Sequence, residues 1–200
     1  MDRISAKHAS LRTCLHTDVI EAGCDEAGRG CLAGSVFAAA VILPKNYVNP
    51  DIDDSKQLTA AKREALRRQI EHDALAWTVA EVTAREIDEI NILEASILAM
   101  HRALDSLKLR PESIIVDGNR FHPYHNIPCQ TVVKGDATFL SIAAASILAK
   151  TYRDKYMMKL HEQFPDYQWN RNKGYPTKAH RAAIRRFGTT PYHRLTFRLI

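Results

Sequence analysis

The sequence predicts an α/β fold with one mixed five-stranded central sheet flanked by helices. Three features carry that prediction: two apolar strands around a glycine-rich turn near the start, an alternating strand behind the first helix, and two further short strands interleaved with amphipathic helices. With 200 residues, 46% of them hydrophobic, the chain can close one well-buried core and not comfortably two. A single domain over residues 1–200 is expected, with the basic helical C-terminal part packed onto it.

Val19-Ile20-Glu21-Ala22-Gly23-Cys24 forms a short strand that leads into Asp25-Glu26-Ala27-Gly28-Arg29-Gly30, a glycine-rich turn. The apolar run from Ser35 to Leu43, stopped by Pro44, suits a buried strand paired to the first. Thr59 is a helix N-cap ahead of Leu66 and Ile70, and Trp77 to Val82 alternates as a half-buried strand does. Thr83-Ala84-Arg85-Glu86 is a capping-box pattern, followed by one amphipathic helix through Ile90, Leu93, Ile97, Met100, Leu104 and Leu107. Two short strands, Ser113 to Val116 and Gln130 to Val133, precede a long helix opened by Asp136. Its apolar positions are Ile142, Ala145, Ala149, Tyr152, Tyr156 and Leu160, and a last helix runs from near Thr177 to Gly188.

Composition excludes several classes. No stretch approaches the roughly 20 apolar residues of a membrane helix, the longest run being Val36 to Leu43. The start, Met1-Asp2-Arg3-Ile4, has no secretory pattern, and Cys14, Cys24, Cys31 and Cys129 form no CxxC pair, so a reducing cytoplasm is expected. The formal net charge of +5 is uneven. Residues 150–200 hold twelve Lys and Arg against three Asp and Glu, a net +9, which leaves −4 on the rest. With Tyr152, Tyr156, Tyr167, Trp169, Tyr175 and Tyr192 interspersed, that quarter has the make-up of a phosphate-contacting surface, or of a solvated helical face.

Three acidic residues stand where core design does not place them. Asp25 ends an apolar strand, Asp117 ends Ile114-Ile115-Val116, and Asp136 opens a long helix. Strand ends and helix starts of a mixed sheet can converge on one edge, where grouped carboxylates suit hard cations such as Mg²⁺ or Mn²⁺ that relieve their repulsion. Each also has an ordinary structural use, Asp136 as a cap and Asp117-Gly118-Asn119 as a turn. Glu26 requires the strand to end or bulge, because successive strand residues face opposite ways. No GxSxG elbow, GxxxxGK[ST] loop or HExxH helix competes, and His122-Pro123-Tyr124-His125 is taken as a surface turn.

With these residues in place, the chain resembles the ribonuclease HII family, the type 2 ribonucleases H. The likeness runs through Gly23-Cys24-Asp25-Glu26-Ala27-Gly28-Arg29-Gly30, Asp54-Ser55-Lys56-Gln57-Leu58-Thr59, Val116-Asp117-Gly118-Asn119 and Lys134-Gly135-Asp136-Ala137. It continues through Ile142 to Ile147, Ala149-Lys150, Arg153-Asp154, Lys173-Gly174-Tyr175-Pro176-Thr177, His180 and His193-Arg194. The resemblance implies a ribonuclease-H-like fold and an Asp-Glu-Asp-Asp set at Asp25, Glu26, Asp117 and Asp136, binding two Mg²⁺ or Mn²⁺ ions. It implies an endoribonuclease that cleaves the RNA strand of RNA/DNA hybrids and nicks 5′ of ribonucleotides in duplex DNA, leaving 5′-phosphate and 3′-hydroxyl ends. Gly28, Arg29 and Gly30 would contact the ribose 2′-hydroxyl, Tyr175 would pack on the sugar beyond the cut, and Ser55, Lys56 and Thr59 would contact backbone. His180, His193 and Arg194 match family positions with packing or backbone contact as their expected use.

A monomer is expected. A sliding-clamp partner is left open, since no clamp-binding peptide is visible near Ile200. Some relatives carry a further C-terminal segment that helps hold the duplex, and ending at Ile200 implies lower affinity. A non-catalytic nucleic-acid binder would retain the basic face but not need the full acidic set. A nuclease for another nucleic acid would not need Gly28-Arg29-Gly30 with Tyr175.

Overall fold

Asp25 and Asp117 leave neighbouring parallel strands at one edge of a mixed sheet, and the chain path explains how they come to be neighbours. The computed structural model describes residues 11–52 and 58–200. Strands β1 (Glu21–Ala27), β2 (Val36–Ile42) and β3 (Ala76–Val82) form an antiparallel meander, with α1 (Ala60–Asp73) between the second and third. After α2 (Ala84–Ile90) and α3 (Ile92–Asp105) the chain returns to β4 (Ser113–Asp117), which pairs parallel to β1, and β5 (Cys129–Val132) pairs parallel to β4. The order across the sheet is β3-β2-β1-β4-β5. Helices α4 (Leu140–Gln163), α5 (Trp169–Asn172) and α6 (Lys178–Phe187) follow.

Period-two alternation divides the sheet's side chains between two cores. Ala22, Cys24, Val36, Ala38, Ala40 and Ile42 pack with Ala95, Ala99, Met100 and Ala103 of α3. Ala27, Ala39 and Val41 face α1 and α4, through Leu66, Ile70, Ala144 and Leu148. A third cluster joins Leu32 and Ala33 to Met157, Leu160, Trp169 and Ile184, so the C-terminal helices lie against the loop between β1 and β2. Among the described residues, no helix is long and apolar enough to cross a membrane.

The five strands, the Thr59 cap, the Thr83–Glu86 capping box and the last helix fall where the sequence predicts them. Three expectations are corrected. The strand neither ends nor bulges at Asp25: β1 stays in register with β2 through Asp25↔Ala39, Glu26↔Ala38 and Ala27↔Phe37. The single helix expected after Thr83 is two, broken at Asn91, whose φ of 68° ends α2 while its side chain accepts from Leu93 N–H (2.9 Å) and Glu94 N–H (3.2 Å) to cap α3. Asp136 does not open the long helix. It lies in a 3₁₀ turn, Gly135–Ala137, and α4 starts at Leu140.

The basic quarter is also not wholly surface. Arg153 and Arg194 are buried, as are Tyr167 and Trp169, and of the six Tyr and Trp residues there only Tyr175 is prominently exposed. His122 and His125 stand in an exposed turn, paired with Glu94 (2.8 Å) and Asp105 (3.4 Å).

Candidate active site

The last paired residues of β1 and β4 are Cys24 and Val116, so the next position on each strand is a carboxylate, Asp25 beside Asp117. Asp25 is 4% exposed. Its carboxylate accepts the Glu26 N–H (2.7 Å) and the hydroxyl of Ser146 on α4. Burial raises its pKa well above the usual range, the Glu26 and Asp117 charges push the same way, and the two hydrogen bonds only partly oppose them. Glu26 is raised too, by burial first and also by Asp117, against the pull of the Arg29 guanidinium 3.3 Å away.

Asp117 Oδ1 accepts the Gly135 N–H (2.7 Å). That bond draws the 3₁₀ turn onto the end of β4 and leaves Asp136, itself buried, one residue from the contact. Asp25, Glu26 and Asp117 thus lie within electrostatic reach of one another, although Asp25 and Glu26 alternate along an unbroken strand.

Grouped carboxylates in a poorly hydrated corner repel, and a cation is the simplest relief. Among the described residues, no three ligating side chains are drawn close enough to grip an ion as a ready-made cage. The donor set still fits a hard divalent cation. All four candidates offer carboxylate oxygens, and Mg²⁺ is commonly held by one or two carboxylates while waters and substrate phosphate complete its octahedron.

Beyond β1 the loop turns away at Gly28, with φ of 101°, and a Cβ there would stand 2.0 Å from Arg153 Nε. Only glycine fits on both counts. Gly30 differs: nothing lies within 4 Å of where its Cβ would be, so its bareness serves no internal packing and leaves room on the outside. Arg29 between them is exposed. Cys31 follows, and its thiol meets the Tyr175 hydroxyl. Tyr175, 41% exposed, therefore borders the Gly28–Gly30 loop.

Thr59 is apart from this group in use: its hydroxyl accepts the Lys62 N–H (3.2 Å) as the cap of α1. Ser55 and Lys56 lie outside the described residues.

Sequence patterns missed Ser146, one residue among many small ones on α4, and the roles of Arg153 and Arg194. Arg153 shares the buried face of α4 with Ala149, Met157 and Leu160, four residues either side and then three. An arginine in register with a core stripe was the available signal. His180 and His193 form a buried pair. Trp169 Nε1–H donates to His180 Nε2 (3.0 Å), His193 Nε2 lies 3.3 Å from the same atom, and His180 Nδ1 donates to the Tyr175 carbonyl (3.0 Å).

Known structures share this fold. The chain superposes on ribonuclease H2 from Pyrococcus horikoshii OT3 with a TM-score of 0.75 at 28% identity, covering 90% of this chain and 94% of that one. It superposes on a chain of the PCNA:RNase HII complex from Archaeoglobus fulgidus with a TM-score of 0.76 at 25% identity, covering 90% and 96%. Fold and acidic corner define a hydrolase of the ribonuclease-H-like α/β class. A sequence model described as Ribonuclease HII matches residues 22–200. Curated ribonucleases HII from Bacteroides thetaiotaomicron and Phocaeicola vulgatus are each 67% identical over 186 residues, 93% of this chain and 93% and 92% of theirs. The chain belongs to the ribonuclease HII family, and it is a ribonuclease H enzyme.

Proposed function

We propose that this enzyme hydrolyses the RNA strand of RNA/DNA hybrids and nicks duplex DNA on the 5′ side of an embedded ribonucleotide. The observation that carries this is the meeting of two features at the end of β1: the mutually repelling carboxylates at the ends of β1 and β4, and the Gly28-Arg29-Gly30 turn bordered by Tyr175. Residues 1–200 act as one catalytic unit in this proposal, as a monomer in the cytoplasm. Asp25, Glu26, Asp117 and Asp136 would hold two divalent cations, Mg²⁺ or Mn²⁺. When bound, these supply the Lewis acidity that activates water for in-line attack and leaves 5′-phosphate and 3′-hydroxyl ends.

The protein's own groups have distinct tasks. Ser146 and the Glu26 N–H orient Asp25, and the Gly135 N–H orients Asp117. The open side of Gly30 admits a sugar edge, where backbone groups can meet a 2′-hydroxyl, the one group that separates ribose from deoxyribose. Tyr175 offers a ring face to the neighbouring sugar. No side chain is needed as a nucleophile.

The test is a labelled duplex carrying one ribonucleotide, incubated with Mg²⁺, with Mn²⁺ and with chelator, and its ends mapped. A metal-dependent cut leaving a 5′-phosphate on the ribonucleotide is expected. Undiminished cutting in chelator, or none at the ribonucleotide, would refute the proposal.

A further inference from the structure

Arg153 and Arg194 are 1% and 0% exposed, and among the described residues neither forms a salt bridge with a carboxylate. Burying a guanidinium without a counter-charge is unfavourable, so its donors must be used. Every one of the donors that bonds here meets a backbone carbonyl. Arg153 donates from Nε to Ser35 O (3.1 Å), from Nη1 to Lys173 O (2.9 Å) and from Nη2 to Ala33 O (3.1 Å). Arg194 donates from Nε and Nη2 to Gly34 O (3.0 and 2.8 Å) and from Nη1 to Arg29 O (2.8 Å).

These acceptors belong to only two segments. Arg29, Ala33, Gly34 and Ser35 form the loop that carries Gly28–Gly30, and Lys173 leads into Gly174–Tyr175. The segments also touch directly, through Leu32 N–H to Gly174 O (2.7 Å), and a Cβ on Gly174 would stand 2.6 Å from Ala33 O. Burial, with the nearby Arg153 charge, pulls Arg194 down to about 10, so placing two guanidinium groups together has a cost that simple packing does not require.

We propose that Arg153 and Arg194 are positioning residues for ribose recognition: Arg153 fixes the spacing between the Gly28–Gly30 turn and Tyr175 by gripping both segments through their carbonyls, and Arg194 holds the turn's own loop in shape through the carbonyls of Arg29 and Gly34. The proposal rests on the ribose-contacting role given above to that turn and to Tyr175. Arginine suits this because one planar fork reaches several carbonyls at fixed angles, three for Arg153 and two for Arg194, whereas a lysine ammonium keeps the charge and loses the span.

The experiment compares Arg153→Lys, Arg194→Lys, Tyr175→Ala and Arg153→Lys/Tyr175→Ala. Each is assayed for kcat and KM on a single-ribonucleotide duplex and on a uniform RNA/DNA hybrid, with thermal melting to establish that the variant is folded. Arg153→Lys is expected to lose on the order of 10–100-fold in kcat/KM on the single ribonucleotide, mostly in kcat, and several-fold less on the hybrid. The double variant should lose little more than Tyr175→Ala alone, because both changes spoil one alignment. Folded lysine variants that lose equally on both substrates, or that add fully to Tyr175→Ala, overturn the proposal. So does failure of both to fold, which would mark the arginines as structural only. Equal losses from Tyr175→Ala alone, with both arginines present, would instead sink the ribose-contacting role itself.

Discussion

The acidic corner and the arginine clamp are both made of charges withdrawn from water, and they are balanced in opposite ways. At the corner, Asp25, Glu26 and Asp117 raise one another's energy, and hydrogen bonds from Ser146 and the backbone offset only part of it. At the clamp, Arg153 and Arg194 find backbone carbonyls for their donors within the protein. On the function proposed above, the corner takes its relief from outside, whereas the clamp is finished by folding. One region would then hold strain that function relieves, and the other the shape that function needs.

The contrast is tested hardest at the corner. Asp25→Asn and Asp136→Asn are expected to lower turnover by more than about 100-fold. Melting temperature measured without divalent cation should stay level or rise, because a repelled charge is gone. A clear fall in melting temperature would make the carboxylates structural and erase the contrast. Tyr175→Ala should lose about 100-fold in kcat/KM on the single-ribonucleotide duplex and much less on a hybrid, as expected where alignment is lost.

The clamp should behave in reverse. Arg194→Met strands the buried carbonyls of Arg29 and Gly34, at about 1–3 kcal/mol each, and should lower the melting temperature by roughly 10 °C with no metal or substrate present. An unchanged melting temperature would show that the clamp is not completed from within.

A smaller effect sharpens the same point through pH. Burial, with His180 beside it, pulls His193 from 6.5 down to about 4. Between those values the unfolded chain takes up a proton that the folded chain refuses, so stability falls as pH drops from about 6.5 to about 4 and levels off below, at no more than about 1.4 kcal/mol per pH unit for one proton. Melting curves across that window should show a fall that is shallower in His193→Asn. Equal slopes would mean that the pair does not resist protonation.

The least effect belongs to the exposed cations. If Arg185 and Arg186 in the last turn of α6 each meet a phosphate, replacing them should flatten the salt dependence of duplex binding by about one unit of slope per arginine. An unchanged slope would leave them as solvated surface.

Much of the fold was legible in the sequence because its boundaries are chemical. Pro44 stops β2, Thr83 and Glu86 box the start of α2, and Thr177 and Gly188 bracket α6. The break at Asn91 was not, since its neighbours Ile90 and Leu93 keep the apolar period across it and only a left-handed backbone betrays the bend. The three aspartates stood out as acids at the ends of apolar segments, while the unbroken strand through Glu26 was hidden by the glycines after it. Arg153 and Arg194 were invisible as a clamp because their partners are main-chain carbonyls, which carry no residue-specific signal. Tyr167 and Trp169 looked like part of a nucleic-acid face and are instead stacked in the C-terminal core at 5.1 Å, since an aromatic among basic residues reads alike in either place.

The bond from Arg194 to the carbonyl of Arg29 spans 165 positions of the chain. A protein made from its N-terminus has all four carboxylates before α4 begins, yet cannot close this bond until residue 194 has left the ribosome. Closing so long a loop is slow and comes late in folding. Chains stalled or clipped before that point would carry the acidic corner without the clamp that sets the turn beside it. If the clamp sets that turn as proposed, the alignment for cutting is deferred to the last stage of synthesis, and incomplete copies would be poorly equipped to act on nucleic acid.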